Sequence, residues 1–421
     1  MRLGETCVST RDQSGGLDFQ PQPCIFTHHR ALVTSGGTCM KIGLDLRRIN
    51  DTGIGRFARN LLRAMIQSDT SHEFTLVFSS PADIDTLAID SDALHFCFAP
   101  APKYSIQELV SMWRIARREA LDLVHVPHQF HFPWFASWAT VVTVHDLTQI
   151  HFPAGCKAQW FGPPFAWFLK AMCTKADAVM TVSEASRDSI IECLDIASDD
   201  LYIVSNAVDD GFAKTPDQTL LESYRRSMGL PPTNMVYVGM LKPHKNLDTL
   251  VKAFNMYIQK YADNNIKLII VGKAEATQEH RIRKLARELQ IHHLIRFTGH
   301  LSDEELWLTY HLSDLLVQPS LYEGFGLTPL EAMACGTPVV ASRIPPHQEV
   351  CGDAALLVAP RDVCEMAEAM AAVLQNPTFA AELRRRGLAN VKRYTWHHAG
   401  QQALKIYDIA YQRYLYKTRR S

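Results

Sequence analysis

The chain has 421 residues, 47% hydrophobic and 21% charged, with a formal net charge of −1. That length suits about two domains, and the composition is that of an ordinary globular protein. The near-zero charge leaves no basic field to hold nucleic acid, and no apolar run reaches the roughly 18 residues of a membrane-spanning helix.

Residues 1–39 carry Gly15-Gly16 and Gly36-Gly37 and show no hydrophobic periodicity, so disorder is expected there. They hold no apolar core of a signal peptide. Met40-Lys41-Ile42-Gly43-Leu44-Asp45 has the form of a chain start running straight into a first strand. The ten cysteines form no CxxC pair and no regular framework, which predicts reduced thiols and a cytoplasmic protein.

From Met40 onward, apolar β-branched runs predict strands at 41–46, 74–78, 122–126, 140–144, 178–182 and 201–204. Helical patterns near 54–67, 105–120, 159–175 and 184–194 separate them. Residues 205–234 turn polar and irregular, ending in the linker-like Gly229-Leu230-Pro231-Pro232. A second series places strands at 235–239, 267–271, 294–298, 314–317, 338–341 and 355–358. Helices are expected between them near 246–260, 279–290, 303–312, 328–335, 362–376 and 378–391. The alternation predicts an α/β protein of two Rossmann-like, doubly wound domains facing a cleft, at 40–228 and 229–394. A long aromatic-rich helix over about 395–417, within a last segment 395–421, is expected to cross back to the first domain.

The strongest chemical signal is Ser320-Leu321-Tyr322-Glu323-Gly324-Phe325-Gly326-Leu327-Thr328-Pro329-Leu330-Glu331, directly after the strand Leu315-Leu316-Val317. It reads as strand, glycine loop and helix start. Thr328 is expected as N-cap, Pro329 at the first helical position and Glu331 as a capping-box carboxylate. Such a helix start offers backbone N–H groups and a positive dipole end to an anion. Glu323 and Glu331 add acceptors for sugar hydroxyls, so the loop suits a nucleotide diphosphate sugar.

Glu323 and Glu331, with seven residues between them, match the E-x7-E motif of retaining glycosyltransferases. With Gly336-Thr337-Pro338-Val339-Val340-Ala341-Ser342, the segment resembles family four of those enzymes, of the GT-B fold. The resemblance runs from Met40 to about 415 and is most specific in the second domain. It implies that Glu323 contacts the donor sugar, that Glu331 contacts the ribose, and that Gly324, Phe325, Gly326 and Leu327 offer N–H groups to the diphosphate or sugar.

Tyr237-Val238-Gly239-Met240-Leu241-Lys242-Pro243-His244-Lys245-Asn246 follows the first strand of the second domain. A lysine there is well placed for phosphate. The resemblance implies that Lys245 is the diphosphate-binding lysine, with Gly239 and His244 beside it. The companion arginine of many members is missing, since Met240 and His244 occupy its two usual places. His244 or Lys242 is left to supply that cation. In Thr143-Val144-His145-Asp146-Leu147, the residues alone favour a core histidine bonded to Asp146 or to backbone. The resemblance instead places His145 against the donor sugar, near the reaction centre.

His125, His128 and His131 recur every third residue on a strand running into a Pro-broken loop, so they are not expected to share one face as metal ligands. His128 is instead expected to line the acceptor side. Thr52-Gly53-Ile54-Gly55-Arg56-Phe57-Ala58 is a weak dinucleotide signal, since the loop before it is long and the second strand ends without an acidic residue. The resemblance makes Gly53 and Gly55 part of a loop facing donor phosphates or acceptor. The aromatic segments 130–138 and 159–170 read either as packing or, with Lys157, Lys170 and Lys175, as a patch for anionic lipid.

These expectations describe a retaining, metal-independent hexosyltransferase. It would take a nucleotide-sugar donor, best GDP-mannose, to a glycan or lipid-linked acceptor, with no cofactor. Its place would be the cytoplasm, with peripheral contact to the inner face of the membrane. The Gly-Met-Leu-Lys-Pro-His-Lys-Asn and Thr-Val-His-Asp-Leu segments resemble bacterial mannosyltransferases of surface polysaccharide assembly. A nucleotide-sugar 2-epimerase of the same fold, or a non-catalytic membrane-peripheral scaffold, are the alternatives.

Overall fold

The computed structural model describes residues 39–68, 71–87, 89, 94–103, 105–153, 162–262, 265–273 and 275–420. The disorder expected of residues 1–39 falls almost wholly outside the described residues, as do Lys157, Trp160 and Phe161.

The first sheet holds β1 (Lys41–Asp45), β2 (Glu73–Phe78), β3 (Leu94–Phe98), β4 (Leu123–Val126), β5 (Ala139–Thr143), β6 (Ala178–Thr181) and β7 (Leu201–Ile203). Their order is β3-β2-β1-β4-β5-β6-β7 and every pairing is parallel. The second holds β8 (Thr233–Val238), β9 (Ile266–Val271), β10 (Ile295–Gly299), β11 (Leu315–Gln318), β12 (Val339–Ser342) and β13 (Leu356–Val358). Its order is β10-β9-β8-β11-β12-β13, again all parallel. Helices cover both faces, so β4, β5, β6, β11 and β12 are buried at every residue, which is why their sequences read as unbroken apolar runs.

Several elements escape that reading, among them β3 and the helix Gln218–Ser227. β3 (Leu-His-Phe-Cys-Phe) is an edge strand with only Leu94 and Cys97 buried, so its apolar content is not a core signature. The helix Gln218–Ser227 occupies part of the stretch expected to be irregular. It buries none of its residues and is held at its start by the Asp217 side chain, which accepts from the N–H groups of Thr219 and Leu220. Its inward stripe is short and only partly buried, Leu221 and Tyr224 packing against the core with Met228 just beyond, too little for an apolar run to stand out.

The final helix, Trp396–Thr418, turns Ala399, Gly400, Ala403, Ile406, Tyr407 and Ala410 inward. It lies against the helix Thr52–Gln67 and against β5 and β6, all of the first domain. His125 is the polar rivet of this contact: its Nδ1 is 2.7 Å from the Tyr407 hydroxyl and its Nε2 is 2.8 Å from the Thr143 hydroxyl. Burial holds that ring neutral, with its pKa down at about 3. Lys417 Nζ donates to Asp177 Oδ1 at 2.9 Å on the same face.

Gly400 sets how closely the two helices approach. A Cβ there would fall 2.7 Å from the Ala64 carbonyl carbon and 2.9 Å from its oxygen. Alanine gains about 1 kcal/mol of helix propensity over glycine, but overpacking against backbone costs about 1–3 kcal/mol. Gly400→Ala is therefore expected to lower unfolding free energy by up to about 2 kcal/mol in denaturant melts. A stabilised variant would show that the helices have room to separate.

Candidate active site

In an open parallel sheet, ligands gather outside the carboxyl ends of the strands where the strand order reverses. In the second sheet that point lies between β8 and β11. β8 leads into Gly239 and the turn Pro243–Lys245, and β11 leads into the glycine loop. Topology alone therefore brings Lys245 and Glu323 together.

Lys245 Nζ donates to both Glu323 oxygens, at 2.7 and 2.8 Å. Ser320 Oγ and Gln318 Nε2 also donate to Glu323 Oε1, at 2.7 and 3.2 Å. Burial alone would raise this carboxyl; Lys245, the nearby His347 and these hydrogen bonds outweigh it and hold the pKa down at about 2. The turn and the loop are tied by the Leu321 N–H, which donates to the His244 carbonyl at 2.8 Å. His244 itself is buried, and burial, with Lys245 beside it, lowers its ring to about 4. A neutral ring does not replace the missing arginine. Met240 is 41% exposed and apolar, so the second cation expected beside Lys245 is supplied by neither.

The helix after the loop starts earlier than expected. It spans Leu327–Ala334, with Gly326 at the N-cap in a left-handed conformation, φ 110°. Thr328 and Pro329 lie inside the first turn, and Glu331 is not a capping-box residue. Its carboxylate points inward, accepting from the Tyr310 hydroxyl at 2.9 Å and from Arg56. Burial pushes the Glu331 carboxyl up, and Arg56 pulls the other way without cancelling it. Arg56 also donates to Asp303 at 2.8 Å. Sequence reasoning missed Arg56, although it follows directly on the glycine pair at 53 and 55. The side chain of Phe325 is buried edge-on to Tyr394, so this residue presents backbone only.

The first domain presses on the loop from the other side. A Cβ on Gly324 would fall 2.4 Å from the His145 carbonyl oxygen, so only glycine fits. The Gly324 carbonyl accepts from Ser183 Oγ at 2.6 Å and from Ser186 Oγ at 2.7 Å. The His145 ring is half-buried, lies edge-on to Phe57, and has its Nε2 2.9 Å from the Pro127 carbonyl, which assigns the hydrogen to that nitrogen. Its partner is thus backbone, not Asp146.

Three expected residues sit elsewhere. Gly53 and Gly55 belong to the helix Thr52–Gln67 and form no phosphate loop. Gly55 is required by packing, since a Cβ there would meet the Ile49 carbonyl oxygen at 1.9 Å. His128 is buried in the first domain beside His131, and the two do converge with Asp45, their ligand atoms lying within 4.8 Å of one another. His125 takes no part. Arg47 already fills that cluster: its guanidinium donates to both Asp45 oxygens, at 2.9 and 2.7 Å, and stands 3.2 Å from His131 Nε2. A guanidinium occupies the place a metal ion would need.

Two parallel-sheet domains with a cationic, carboxylate-lined loop at the switch point match the GT-B fold of glycosyltransferases. The chain belongs to that family. The model "Glycosyltransferase Family 4" matches residues 52–212, and "Glycosyl transferases group 1" matches residues 224–390. The chain is 29% identical over 388 residues to the serotype-specific mannosyltransferase WbdA of Escherichia coli, covering 84% of this chain and 46% of WbdA. It thus spans about half the length of that relative. It is 27% identical over 379 residues to the O-antigen chain mannosyltransferase B of Escherichia coli, covering 85% of this chain and 96% of that protein. Sucrose-phosphate synthase from Thermosynechococcus elongatus shares the fold, with a TM-score of 0.71 at 20% identity over 88% of this chain and 98% of that one.

The Glu323 carboxyl has an ordinary pKa of 4.5 and a folded value of about 2. A depressed carboxylate stabilises the fold above its unfolded pKa, and that contribution is lost as pH falls through the folded one. Wild-type stability is therefore expected to drop between pH 4.5 and about 2 more steeply than that of Glu323→Gln, measured by urea melts across that window. Parallel curves would mean that Glu323 is not held ionised by Lys245.

Proposed function

We propose that the protein is a retaining hexosyltransferase that moves mannose from GDP-mannose to a glycan or lipid-linked saccharide of a bacterial surface polysaccharide. The observation that carries the reading is the Lys245–Glu323 pair at the switch point, beside a helix N-terminus, with buried Glu331 one turn further on. The mannosyltransferase names of the two curated relatives support the choice of sugar.

Lys245 would exchange Glu323 for a diphosphate oxygen, helped by the N–H groups at the start of Leu327–Ala334. Glu323 would then accept from sugar hydroxyls, and Glu331 from the ribose. The acceptor hydroxyl attacks the anomeric carbon from the face that the diphosphate leaves. The bond from that carbon to the phosphate oxygen breaks, the bond to the acceptor oxygen forms, and the acceptor's proton passes to the departing phosphate. No carboxylate nucleophile enters this scheme, and Lys245 with the helix N-terminus carries the charge that a divalent ion would otherwise balance. Enclosure between the domains would keep water from competing as acceptor.

A thermal-shift panel of GDP-mannose, GDP, UDP-glucose, UDP-N-acetylglucosamine and ADP-glucose tests the donor. A ligand bound only by the native state at 100 times its Kd adds about 2.7 kcal/mol, which raises the melting temperature by several degrees. GDP-mannose and GDP are expected to do so; a shift with a UDP-sugar and none with GDP-mannose would sink the mannose assignment. Conversion of the bound donor to a new sugar nucleotide without acceptor would favour the epimerase.

Among the described residues no helix is long and apolar enough to cross a membrane. The aromatic segments divide between both earlier readings. Phe132, Trp138 and Phe165 are core, whereas Phe135 and Trp167 are 83% and 74% exposed. Lys175 Nζ lies 5.9 Å from the Trp134 ring and 6.0 Å from that of Phe135, and a shallow hollow is lined by Trp134, Trp167, Lys170 and Lys175. Aromatic side chains among lysines suit peripheral contact with anionic lipid. Vesicles containing phosphatidylglycerol are expected to sediment the wild type several-fold better than a Phe135→Ser, Trp167→Ser variant; equal sedimentation would confine the patch to protein contacts.

A further inference from the structure

The strongest unexplained feature beside the site is His347, on the short helix Pro345–Cys351 after β12. Neither the sequence motifs nor the scheme above uses it. The ring is buried. Its Nδ1 stands 2.9 Å from the Ser342 carbonyl oxygen, an atom that only accepts, so Nδ1 carries the hydrogen. A neutral imidazole of that tautomer has a bare lone pair at Nε2. That atom is buried and has no hydrogen-bond partner. Buried polar atoms left in this state are uncommon and call for an explanation.

The lone pair lies beside the glycine loop. A Cβ built on Gly326 would fall 3.2 Å from His347 Cδ2 and 3.8 Å from Nε2. Gly326 is the N-cap of Leu327–Ala334, where the helix presents its N–H groups. Two charged groups bear on the ring, Glu323 from the loop and Lys245 from the turn after β8, with opposite signs. Burial is the larger influence and keeps the ring neutral while the site is empty.

We propose that His347 is a direct ligand of the donor's diphosphate and takes up a proton from solvent as the diphosphate binds. The proposal rests on the nucleotide-sugar reading and deepens it. A diphosphate brings only acceptor oxygens to this corner, and an acceptor lone pair would repel them. Protonated, Nε2 becomes a charge-assisted donor beside Lys245. That supplies the second cation which Met240 and the neutral His244 do not. Gly326 sets no side chain against the ring, and the bond from Nδ1 to Ser342 fixes the direction of Nε2.

The test is calorimetric titration of the full chain with GDP-mannose and with UDP-glucose, whose diphosphates carry no group titrating near neutrality. Repeating it in buffers of different ionisation enthalpy at pH 7.5 counts the protons taken up. Wild type is expected to take up close to one proton with the sugar nucleotide it binds. His347→Gln is expected to take up almost none and to bind about tenfold more weakly, the value of one charge-assisted hydrogen bond. Removing the proton uptake separates His347 from His145 and His244, which the variant keeps. Wild-type binding without proton uptake overturns the proposal and needs no variant. So does a variant that keeps wild-type affinity and proton uptake, or one that is weakened when the wild type takes up no proton, which would assign Nε2 to a sugar hydroxyl. Failure of the wild type to bind either sugar nucleotide overturns the nucleotide-sugar reading, and this proposal with it.

Discussion

A carboxylate withdrawn from water at the end of a parallel sheet has to be paired, and Glu323 is paired with Lys245. The glycine loop is arranged around that pair. Gln318 and Ser320 donate to Glu323 from the strand end, Leu321 bonds the His244 carbonyl, and Asn246 donates to the carbonyls of Pro319 and Pro360. These bonds tie the strand end, the turn after β8 and the Pro360 carbonyl together, so the loop's shape is set before any ligand arrives. Preorganised charge of this kind is where a transferase gains most, because no reorganisation is left for the moment of reaction.

The second constraint is the closeness of the two domains over the loop. Gly324 is held against the His145 backbone and bonded by Ser183 and Ser186. On the adjoining edge, Glu349 of the second domain accepts from the N–H groups of Glu184 and Ala185, at 2.9 and 2.8 Å, at the start of the first-domain helix Glu184–Leu194. Tyr322 accepts from the Leu147 N–H at 3.0 Å. The site is thus an interface between domains as well as a loop, and a donor large enough to span both has to part some of these bonds on entry.

Most of the fold was legible because both sheets are covered on both faces, which leaves the strands as apolar runs that no other element imitates. What escaped lacks that signature. β3 is a half-exposed edge, and Gln218–Ser227 packs only a short, partly buried stripe of Leu221 and Tyr224 against the core. The Glu323 and Lys245 positions were legible because chain order and sheet topology coincide there. The helix start was misplaced because a left-handed Gly326 is a matter of backbone geometry, while Thr328-Pro329 imitates a cap in composition. Arg56 and His347 are far from the loop in sequence, at 56 and 347 against 323–331, and their contacts exist only in the folded chain. His128 was read as cleft-lining and proves to be tied into the Asp45, Arg47 and His131 network, where Arg47 neutralises the carboxylate.

The Arg56–Glu331 pair bears on how a nucleotide enters. Arg56 belongs to the first domain, and both its carboxylate partners, Glu331 and Asp303, belong to the second. A ribose diol bonding Glu331, as proposed, would compete with the guanidinium for its carboxylate oxygens. Breaking a buried pair costs about 3–5 kcal/mol when one charge is left alone, while hydrogen bonds to a charged group return about 1.5–3 kcal/mol each. Two hydroxyl bonds to Glu331 therefore roughly offset the loss, provided that Arg56 is not itself stranded. Asp303 removes that difficulty, since it is 65% exposed at its side chain and can keep Arg56 as it swings outward. On the proposed reading the exchange would run near balance, with one of the ties between the domains released as the ribose arrived. Nucleotide binding and relaxation of the domain interface would, on that reading, be coupled through this arginine.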